Sequence, residues 1–224
     1  MRLVEYPDAD MMMLEVADRL ASDLTNCLMA HDHASFSVSG GSTPGPVFDS
    51  LSAADLDWSR VHVFPNDERC VPQTHERSNA RLIRERLLVG RAAAATLIPF
   101  YDEGQMPAEA AEATTRALEG ELPISVLLLG MGDDMHTASL FPDSPELGAA
   151  MQAAAPTALA VTSPSQPETR ITLSAPALQG AMTTHVLVKG RSKMDAIERA
   201  KGLPPADAPI AAVWGEAMVH WAEG

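Results

Sequence analysis

The run ISVLLLG at residues 124–130 constrains the fold more than any other stretch, because six consecutive positions include only one polar residue. A strand with one face in water alternates apolar and polar residues, whereas a strand covered on both faces is almost continuously apolar. We therefore predict a central strand with helices packed on both of its faces. Such burial is typical of parallel sheets, whose helical crossovers cover the two faces.

Short β-like runs alternate with helical patterns along the rest of the chain, which predicts an α/β fold with a mainly parallel sheet. The other predicted strands lie at 34–39, 61–64, 96–100, 158–162, 170–174 and 185–189, with a weaker one at 210–214. The predicted helices lie at 9–31, 45–54, 77–89, 107–120, 192–201 and 215–222. Neither an internal repeat nor an interdomain linker is evident, so we predict one domain spanning residues 1–224.

Composition narrows the range of partners. The net charge of −14 argues against nucleic acid, whose phosphate backbone requires clustered Lys and Arg. The acidic N-terminus does not resemble a signal peptide, and no run approaches the ~18 apolar residues of a membrane span, so we expect no membrane partner. Cys27 and Cys70 form no CxxC pair, which favours a reducing compartment, and we expect a cytoplasmic protein in which Cys27 is a core residue.

Reactive side chains follow the central strand directly, in the sequence GMGDDMH at 130–136. Open α/β sheets bind ligands at the carboxyl ends of their strands, so this loop is a candidate site. His136 has the one side chain that ordinarily titrates near neutral pH, and Asp134 is placed to accept a hydrogen bond from its ring. These residues favour a general base with an orienting carboxylate. The alternative is an ordinary histidine on a surface loop.

A second candidate site is the glycine-rich segment SGGSTP at 39–44, which joins a predicted strand to a helix that begins near Pro44. The glycines let main-chain N–H groups approach an anion, and the dipole of the following helix favours negative charge. The hydroxyls add further donors, so the predicted anion-binding residues are Gly40, Gly41, Ser42 and Thr43. The segment has neither a GK[ST] nor a GxGxxG pattern, which argues against a Walker loop and a dinucleotide. A plain turn whose Ser or Thr caps the helix is the alternative.

Charged residues in two further places are candidates for ligand contacts. Asp67, Glu68 and Arg69 follow the predicted strand at 61–64, on what the pattern indicates is a loop. Arg69 could grip a phosphate through its planar fork, and Asp67 could orient a ligand hydroxyl. Solvated loop charges are the alternative interpretation. The next two residues of interest, Ser78 and Asn79, are predicted to cap the following helix.

The second place lies in the C-terminal half, where Arg170 opens a predicted strand and Lys193 lies at a strand-to-helix passage with Lys189 and Arg191. On so acidic a chain, this cluster could complete a phosphate site, although solvated cations at a helix start would give the same pattern. The remaining histidines have no HExxH or CxxC partner, so we predict no metal site.

Taken together, the motifs resemble the 6-phosphogluconolactonase family. SGGSTP, F-x-x-DER-x-V at 64–71, SN at 78–79, GMGDDMHTASLFP at 130–142, RIT at 170–172 and VKGRSK at 188–193 occur in the family's order and span nearly the whole chain. The resemblance implies a Rossmann-like α/β fold covered by helices on both faces. It also implies hydrolysis of 6-phospho-D-glucono-1,5-lactone to 6-phospho-D-gluconate in the oxidative pentose phosphate pathway, with no cofactor.

On this resemblance, His136 is the catalytic base and Asp134 orients it. The substrate's phosphate would contact residues 40–43, with Arg69, Arg170 and Lys193 as charged partners, and Asp67 would bind ring hydroxyls. Two rivals stay open: a glucosamine-6-phosphate deaminase-like isomerase, and a catalytically silent sensor of sugar phosphates. The chain departs from the family at Met135, where glycine is usual, and methionine is costly there if the backbone needs a positive φ.

Overall fold

The structure is a computed structural model that describes residues 1–224. Its ten strands are β1 (Arg2–Glu5), β2 (Ala34–Val38), β3 (Val61–Pro65), β4 (Asp67–Arg69), β5 (Thr96–Leu97), β6 (Val126–Leu129), β7 (Ala158–Val161), β8 (Arg170–Leu173), β9 (Thr183–Lys189) and β10 (Met218–Ala222). Seven of them form one sheet in the order β1-β10-β9-β6-β2-β3-β5, and every pairing within it is parallel. The prediction of an α/β fold with a mainly parallel sheet is confirmed.

Seven helices accompany the strands: α1 (Ala9–Ala30), α2 (Gly45–Leu51), α3 (Asn79–Leu82), α4 (Pro107–Ala117), α5 (Leu147–Ala150), α6 (Ala175–Gln179) and α7 (Arg191–Ala200). A π-helical turn, Ile83–Leu87, continues α3, so the predicted helix at 77–89 is present but irregular. None of the helices combines the length and the apolar character needed to cross a bilayer.

Strand β6 lies in the middle of the large sheet and is completely buried. Val126 and Leu128 pack into a core that includes side chains of α1 and α2. Leu127 and Leu129 point the other way, into a core that includes side chains of α4, α6 and α7. Since successive side chains of a strand alternate between its faces, the uniform apolar run supplies both cores, as the sequence predicts.

Two predictions near the C-terminus are wrong. The segment predicted as a helix at 215–222 contains strand β10, which pairs with β1 and β9. The weaker strand predicted at 210–214 is mostly a 3₁₀ turn, Pro209–Ala212. Both segments are short and mix helix-forming Ala with β-branched residues, so local propensity does not distinguish helix from strand and tertiary pairing determines the structure. The first strand, β1, was not predicted, because only its pairing with β10 distinguishes four residues near the N-terminus.

The segment Asp67–Arg69 is a strand rather than the predicted loop. As β4 it pairs with β8 in a second sheet, which has the antiparallel order β4-β8-β7. The register places Arg69 opposite Arg170. Three consecutive charged residues are unusual in a strand, so the sequence does not predict one here. The structure shows that backbone pairing with β8 fixes the positions of these side chains.

Side chains cap two helices, and the cap at Ser78 was predicted. Asp8 accepts a hydrogen bond from the Met11 amide at 2.8 Å and begins α1, while Ser78 accepts one from the Arg81 amide at 3.2 Å and begins α3. The predicted strand at 96–100 shrinks to Thr96–Leu97, because Pro99 cannot donate to a ladder. Cys27 is buried on α1, as predicted for a core residue.

A chain of buried polar contacts links three secondary-structure elements at one side of the sheet. Tyr6 Oη lies 2.8 Å from His220 Nδ1, His220 Nε2 lies 3.0 Å from His185 Nδ1, and His185 Nε2 lies 2.8 Å from Asp23 Oδ2. Burial, assisted by the neighbouring charges of His185 and Arg19, lowers the pKa of His220 to about 3. The His220 ring therefore stays neutral in the folded protein well below the pH at which it would be protonated in the unfolded chain.

This difference predicts that stability falls in mild acid. Above pH ~6.5 the His220 ring is neutral in both states, but below it only the unfolded chain binds the proton. We expect His220 alone to lower the free energy of unfolding by up to about 1.4 kcal/mol per pH unit between roughly pH 6 and 4. His220→Gln should show a shallower fall in urea titrations over that range. The exposed His31→Gln variant should keep the wild-type slope; equal slopes for His220→Gln and wild type would refute the assignment.

Candidate functional site

A cavity of about 240 Å³ opens at the carboxyl ends of β2, β6 and β9, where the small sheet meets the large one. Loops that follow these three strands form part of its wall, and β4 and β8 contribute charged side chains. Eight of the ten predicted site residues line it: Gly40, Gly41, Thr43, Asp67, Arg69, His136, Arg170 and Lys193. The other two, Ser42 and Asp134, do not line the cavity wall, and Asp134 contacts it only through His136.

The glycine-rich segment packs tightly against the start of α3. A Cβ atom on residue 40 would lie 1.8 Å from Asn79 Oδ1, so only glycine fits there. None of the amides of residues 40–43 donates a hydrogen bond within the protein. Four unused donors in a row make this loop suited to an anion. The alternative interpretation, a plain turn whose Ser or Thr caps the helix, is wrong, since Pro44 occupies the N-cap of α2 and no side chain caps it, while Ser42 is exposed to solvent.

Asp134 and His136 form a directly bonded pair on the loop that follows β6. His136 Nδ1 lies 2.5 Å from Asp134 Oδ1, and the ring packs on Phe141 with 4.6 Å between ring centroids. Partial burial raises the pKa of Asp134, but the hydrogen bond and the charge of His136 outweigh it and hold that pKa below its ordinary value. The carboxylate therefore stays ionised and fixes the ring, which leaves Nε2 as the nitrogen free to take a proton.

Backbone strain is concentrated around this histidine. Met135 has φ 66° and Ala138 has φ 48°, and they are the only residues other than glycine with positive φ. The position where the family usually carries glycine thus does require the left-handed conformation, and methionine occupies it at a cost of about 1–3 kcal/mol. The Met135 carbonyl accepts a hydrogen bond from the Ile210 amide at 3.0 Å, which helps to hold the loop in this shape.

Asp67 is the one acid that lines the cavity, and several side chains hold its carboxylate in place. Its Oδ2 accepts a hydrogen bond from Ser139 at 2.5 Å and pairs with Arg170 Nη1 at 3.4 Å, and its Oδ1 lies 3.2 Å from Asn79 Nδ2. Arg170 is itself buried and also donates to Gln166 at 2.6 Å. Burial lowers the pKa of Arg170 from its very high ordinary value, and the Asp67 carboxylate opposes that shift. Asp67 therefore anchors the cationic wall of the cavity as well as facing its interior.

The cavity gathers positive charge on an acidic protein. Its lining includes four cationic side chains, Arg69, Arg170, Lys189 and Lys193, and one carboxylate, Asp67. Arg69 Nη1 is held by the Arg77 carbonyl at 2.5 Å, and Lys193 Nζ pairs with Asp133 at 3.2 Å, which lowers the pKa of Asp133. The buried Nε atoms of Arg69 and Arg170 have no partner within the protein. This arrangement favours a small anionic ligand.

Two residues that hold the cavity wall in place were not identified as such from the sequence. Asn79, predicted only as a cap, lines the cavity and joins Asp67 to Arg69 through its side-chain amide. Glu68, interpreted as a solvated charge, is buried and accepts hydrogen bonds from the amides of Arg69, Asn79 and Ala80 and from the Ser78 hydroxyl. Burial raises the pKa of Glu68, and these hydrogen bonds oppose the rise. The available signal was that the family resemblance includes both DER at 67–69 and SN at 78–79. A buried acid needs hydrogen-bond donors, and the SN segment supplies them to Glu68.

Fold and site together define a class: an α/β protein with a cationic cavity, suited to a small anion, at the carboxyl edge of a parallel sheet and beside a histidine held by a carboxylate. The family model described as glucosamine-6-phosphate isomerases/6-phosphogluconolactonase matches residues 7–221. The chain belongs to this family.

Individual relatives agree with the family match. A 6-phosphogluconolactonase of Pseudomonas aeruginosa is 42% identical over 83% of this chain and 79% of its own length. One from Pseudomonas putida is 36% identical over 97% of this chain and 91% of its own. The crystal structure of a 6-phosphogluconolactonase from Shewanella baltica superposes with a TM-score of 0.95 at 31% identity, covering 99% of this chain and 97% of that one.

Gly132 provides a test of the histidine loop. A Cβ atom there would lie 2.2 Å from His136 Nδ1 and 2.3 Å from Asp134 Oδ1, so Gly132→Ala must displace the pair. We expect a loss of about 1–3 kcal/mol in the free energy of unfolding, measured by urea titration. Gly148→Ala is the matched control, because nothing lies within 4 Å of its added methyl group. A Gly132→Ala protein as stable as the Gly148→Ala protein would contradict the described packing.

Proposed function

We propose that this protein hydrolyses 6-phospho-D-glucono-1,5-lactone to 6-phospho-D-gluconate, a step of the oxidative pentose phosphate pathway. The observation that carries the proposal is the bonded Asp134–His136 pair beside a cavity with unused loop amides and cationic side chains. The 6-phosphogluconolactonase names of the relatives support the same reaction. We propose that one domain, residues 1–224, carries this activity in the cytoplasm.

In the proposed mechanism, His136 acts as a general base. Nε2 removes a proton from a water molecule as the water oxygen attacks the lactone carbonyl carbon, and Asp134 stabilises the positive charge that develops on the ring. Loop N–H groups stabilise the oxyanion of the tetrahedral intermediate. When the bond to the ring oxygen breaks, that oxygen receives the proton back from His136. The lactone and water have then become the open-chain acid, with no change in the enzyme.

Recognition of the substrate is assigned to the other walls of the cavity. The 6-phosphate would accept hydrogen bonds from the amides and hydroxyls of residues 40–43 and would pair with the charged groups of Arg69, Arg170 and Lys193. The carboxylate of Asp67 would bind ring hydroxyls. No cofactor takes part in the proposal, because a δ-lactone is already an activated ester and needs only a positioned water and base.

A deaminase-like isomerase is less well supported by the segment after His136. That segment, TASLFP, carries no acid; the next one, Asp143, is exposed and accepts a hydrogen bond from Ser163 at 2.7 Å. The neighbouring hydroxyls also have structural partners: Thr137 donates to the Gly130 carbonyl and Ser139 to Asp67. A ring-opening acid on this segment therefore has no candidate.

Replacement of the proposed base should abolish most of the activity. We expect His136→Ala to lower kcat by about 10²–10⁴-fold, the usual effect of losing a general base. The assay generates the lactone with glucose-6-phosphate dehydrogenase and measures the rate of its loss. The rate of spontaneous hydrolysis, measured without the protein, is subtracted. Undiminished turnover would end the assignment of His136. If the wild-type protein binds 6-phosphogluconate but does not speed lactone hydrolysis, it is a sensor. If it releases ammonia from glucosamine 6-phosphate, it is a deaminase.

Replacement of a phosphate contact should act mainly on substrate binding. A hydrogen bond to a charged group contributes about 1.5–3 kcal/mol, so Arg69→Ala should raise KM by roughly 10- to 150-fold. Arg69→Lys should recover only part of this, since lysine keeps the charge but lacks the planar fork. Arg84→Ala, which removes an exposed arginine outside the cavity, is the control. An unchanged KM in Arg69→Ala would remove Arg69 from the site.

A further inference from the structure

Three potential metal ligands converge at the edge of the sheet opposite the cavity. His33 directly precedes β2, His62 is the second residue of β3, and Glu121 lies in the segment before β6. Because these three strands are parallel and adjacent, their amino ends meet at one edge and their carboxyl ends at the other. The cluster therefore lies away from the proposed lactonase site and shares no residue with it.

The donor atoms are spaced closely enough for one ion. His62 Nδ1 lies 2.7 Å from Glu121 Oε1, and His33 Nε2 lies 3.3 Å from Glu121 Oε2. One donor atom from each residue lies within 4.8 Å of the other two. Donors bound at ~2.0–2.2 Å in a tetrahedral site are separated by roughly 3.3 Å, so small rotations of the rings bring the set to that spacing.

The carboxylate of Glu121 is incompletely satisfied by the protein. Its side chain is 10% exposed, and Oε2 has no hydrogen-bond partner within the protein although His33 Nε2 lies 3.3 Å away. A buried carboxylate oxygen without a donor is unfavourable. A bound cation would remove this cost, and it would also keep the two stacked imidazoles, whose centroids are 4.8 Å apart, in place.

We propose that His33, His62 and Glu121 bind Zn²⁺ or a similar first-row transition ion. Two imidazoles and a carboxylate are ligands that such ions accept, whereas Mg²⁺ and Ca²⁺ prefer sites made entirely of oxygen atoms. The His33 and His62 side chains are 39% and 30% exposed, so the fourth position faces solvent and takes water. The site is independent of the proposed hydrolysis.

Such an ion would connect the amino ends of three central strands. Because the ligand set is assembled only in the folded chain, binding stabilises the fold by mass action. We therefore expect an increase in Tm with Zn²⁺ concentration and no increase with Mg²⁺. Lactone turnover should be the same with and without Zn²⁺, which separates the failure of this proposal from the failure of the proposed function.

The test is a calorimetric titration of the full chain, freed of metal with a chelator, with Zn²⁺ alone. We expect one equivalent to bind to wild type. Loss of even an outer-shell partner costs about 10- to 100-fold in metal affinity, so Glu121→Gln and His62→Gln should each lose at least tenfold. His75→Gln, which removes an exposed histidine outside the cluster, should bind as wild type does.

His33 lies partly in solvent and outside the core, so its replacement provides a variant that leaves the core intact. If Glu121→Gln fails to fold, as judged by its thermal transition, His33→Gln tests the same site and should show the same loss. Zn²⁺ binding that is absent from wild type, or that is equally strong in wild type, His33→Gln and His62→Gln, would overturn the proposal.

Discussion

The burial of β6 on both faces is the constraint from which the rest of the structure follows. Its four side chains divide evenly between the two cores, so the strand must occupy the middle of the sheet with helices on either side. After Leu129 the chain must turn away from the sheet, because β6 is covered on both faces. Gly132 allows the turn to fold back so closely that Asp134 and His136 meet above it.

A basic cavity in an acidic protein is the second consequence of this geometry. Strand β4 and strand β8 pair across the end of the large sheet, and their register brings Arg69 opposite Arg170. The positive charges of Arg69 and Arg170 repel each other. The carboxylate of Asp67, which pairs with Arg170, offsets part of this repulsion. The remaining positive potential faces loop amides of residues 40–43 that have no partner in the protein, so the space between them is suited to an anion.

The sequence was sufficient wherever a local pattern has one physical interpretation. The uniform run at β6 and the cap at Ser78 belong to this group. The sequence was insufficient where contacts between segments far apart in the chain determine the local structure. Strand β10 exists because β1 and β9 flank it, and Glu68 is buried because the start of α3 donates hydrogen bonds to it. The convergence of His33, His62 and Glu121 likewise needs three strands to be adjacent, which no spacing of the residues indicates.

The central claim is one of placement: the phosphate is held by one strand-end loop while the histidine of another faces the lactone carbonyl. A crystal structure with bound 6-phosphogluconate, the reaction product, tests it most directly. The account predicts phosphate oxygens within hydrogen-bond distance of the amides of residues 40–43, and the product carboxylate next to His136 Nε2. A phosphoryl group bound elsewhere, or a His136 ring that faces away from the carboxylate carbon, would contradict it.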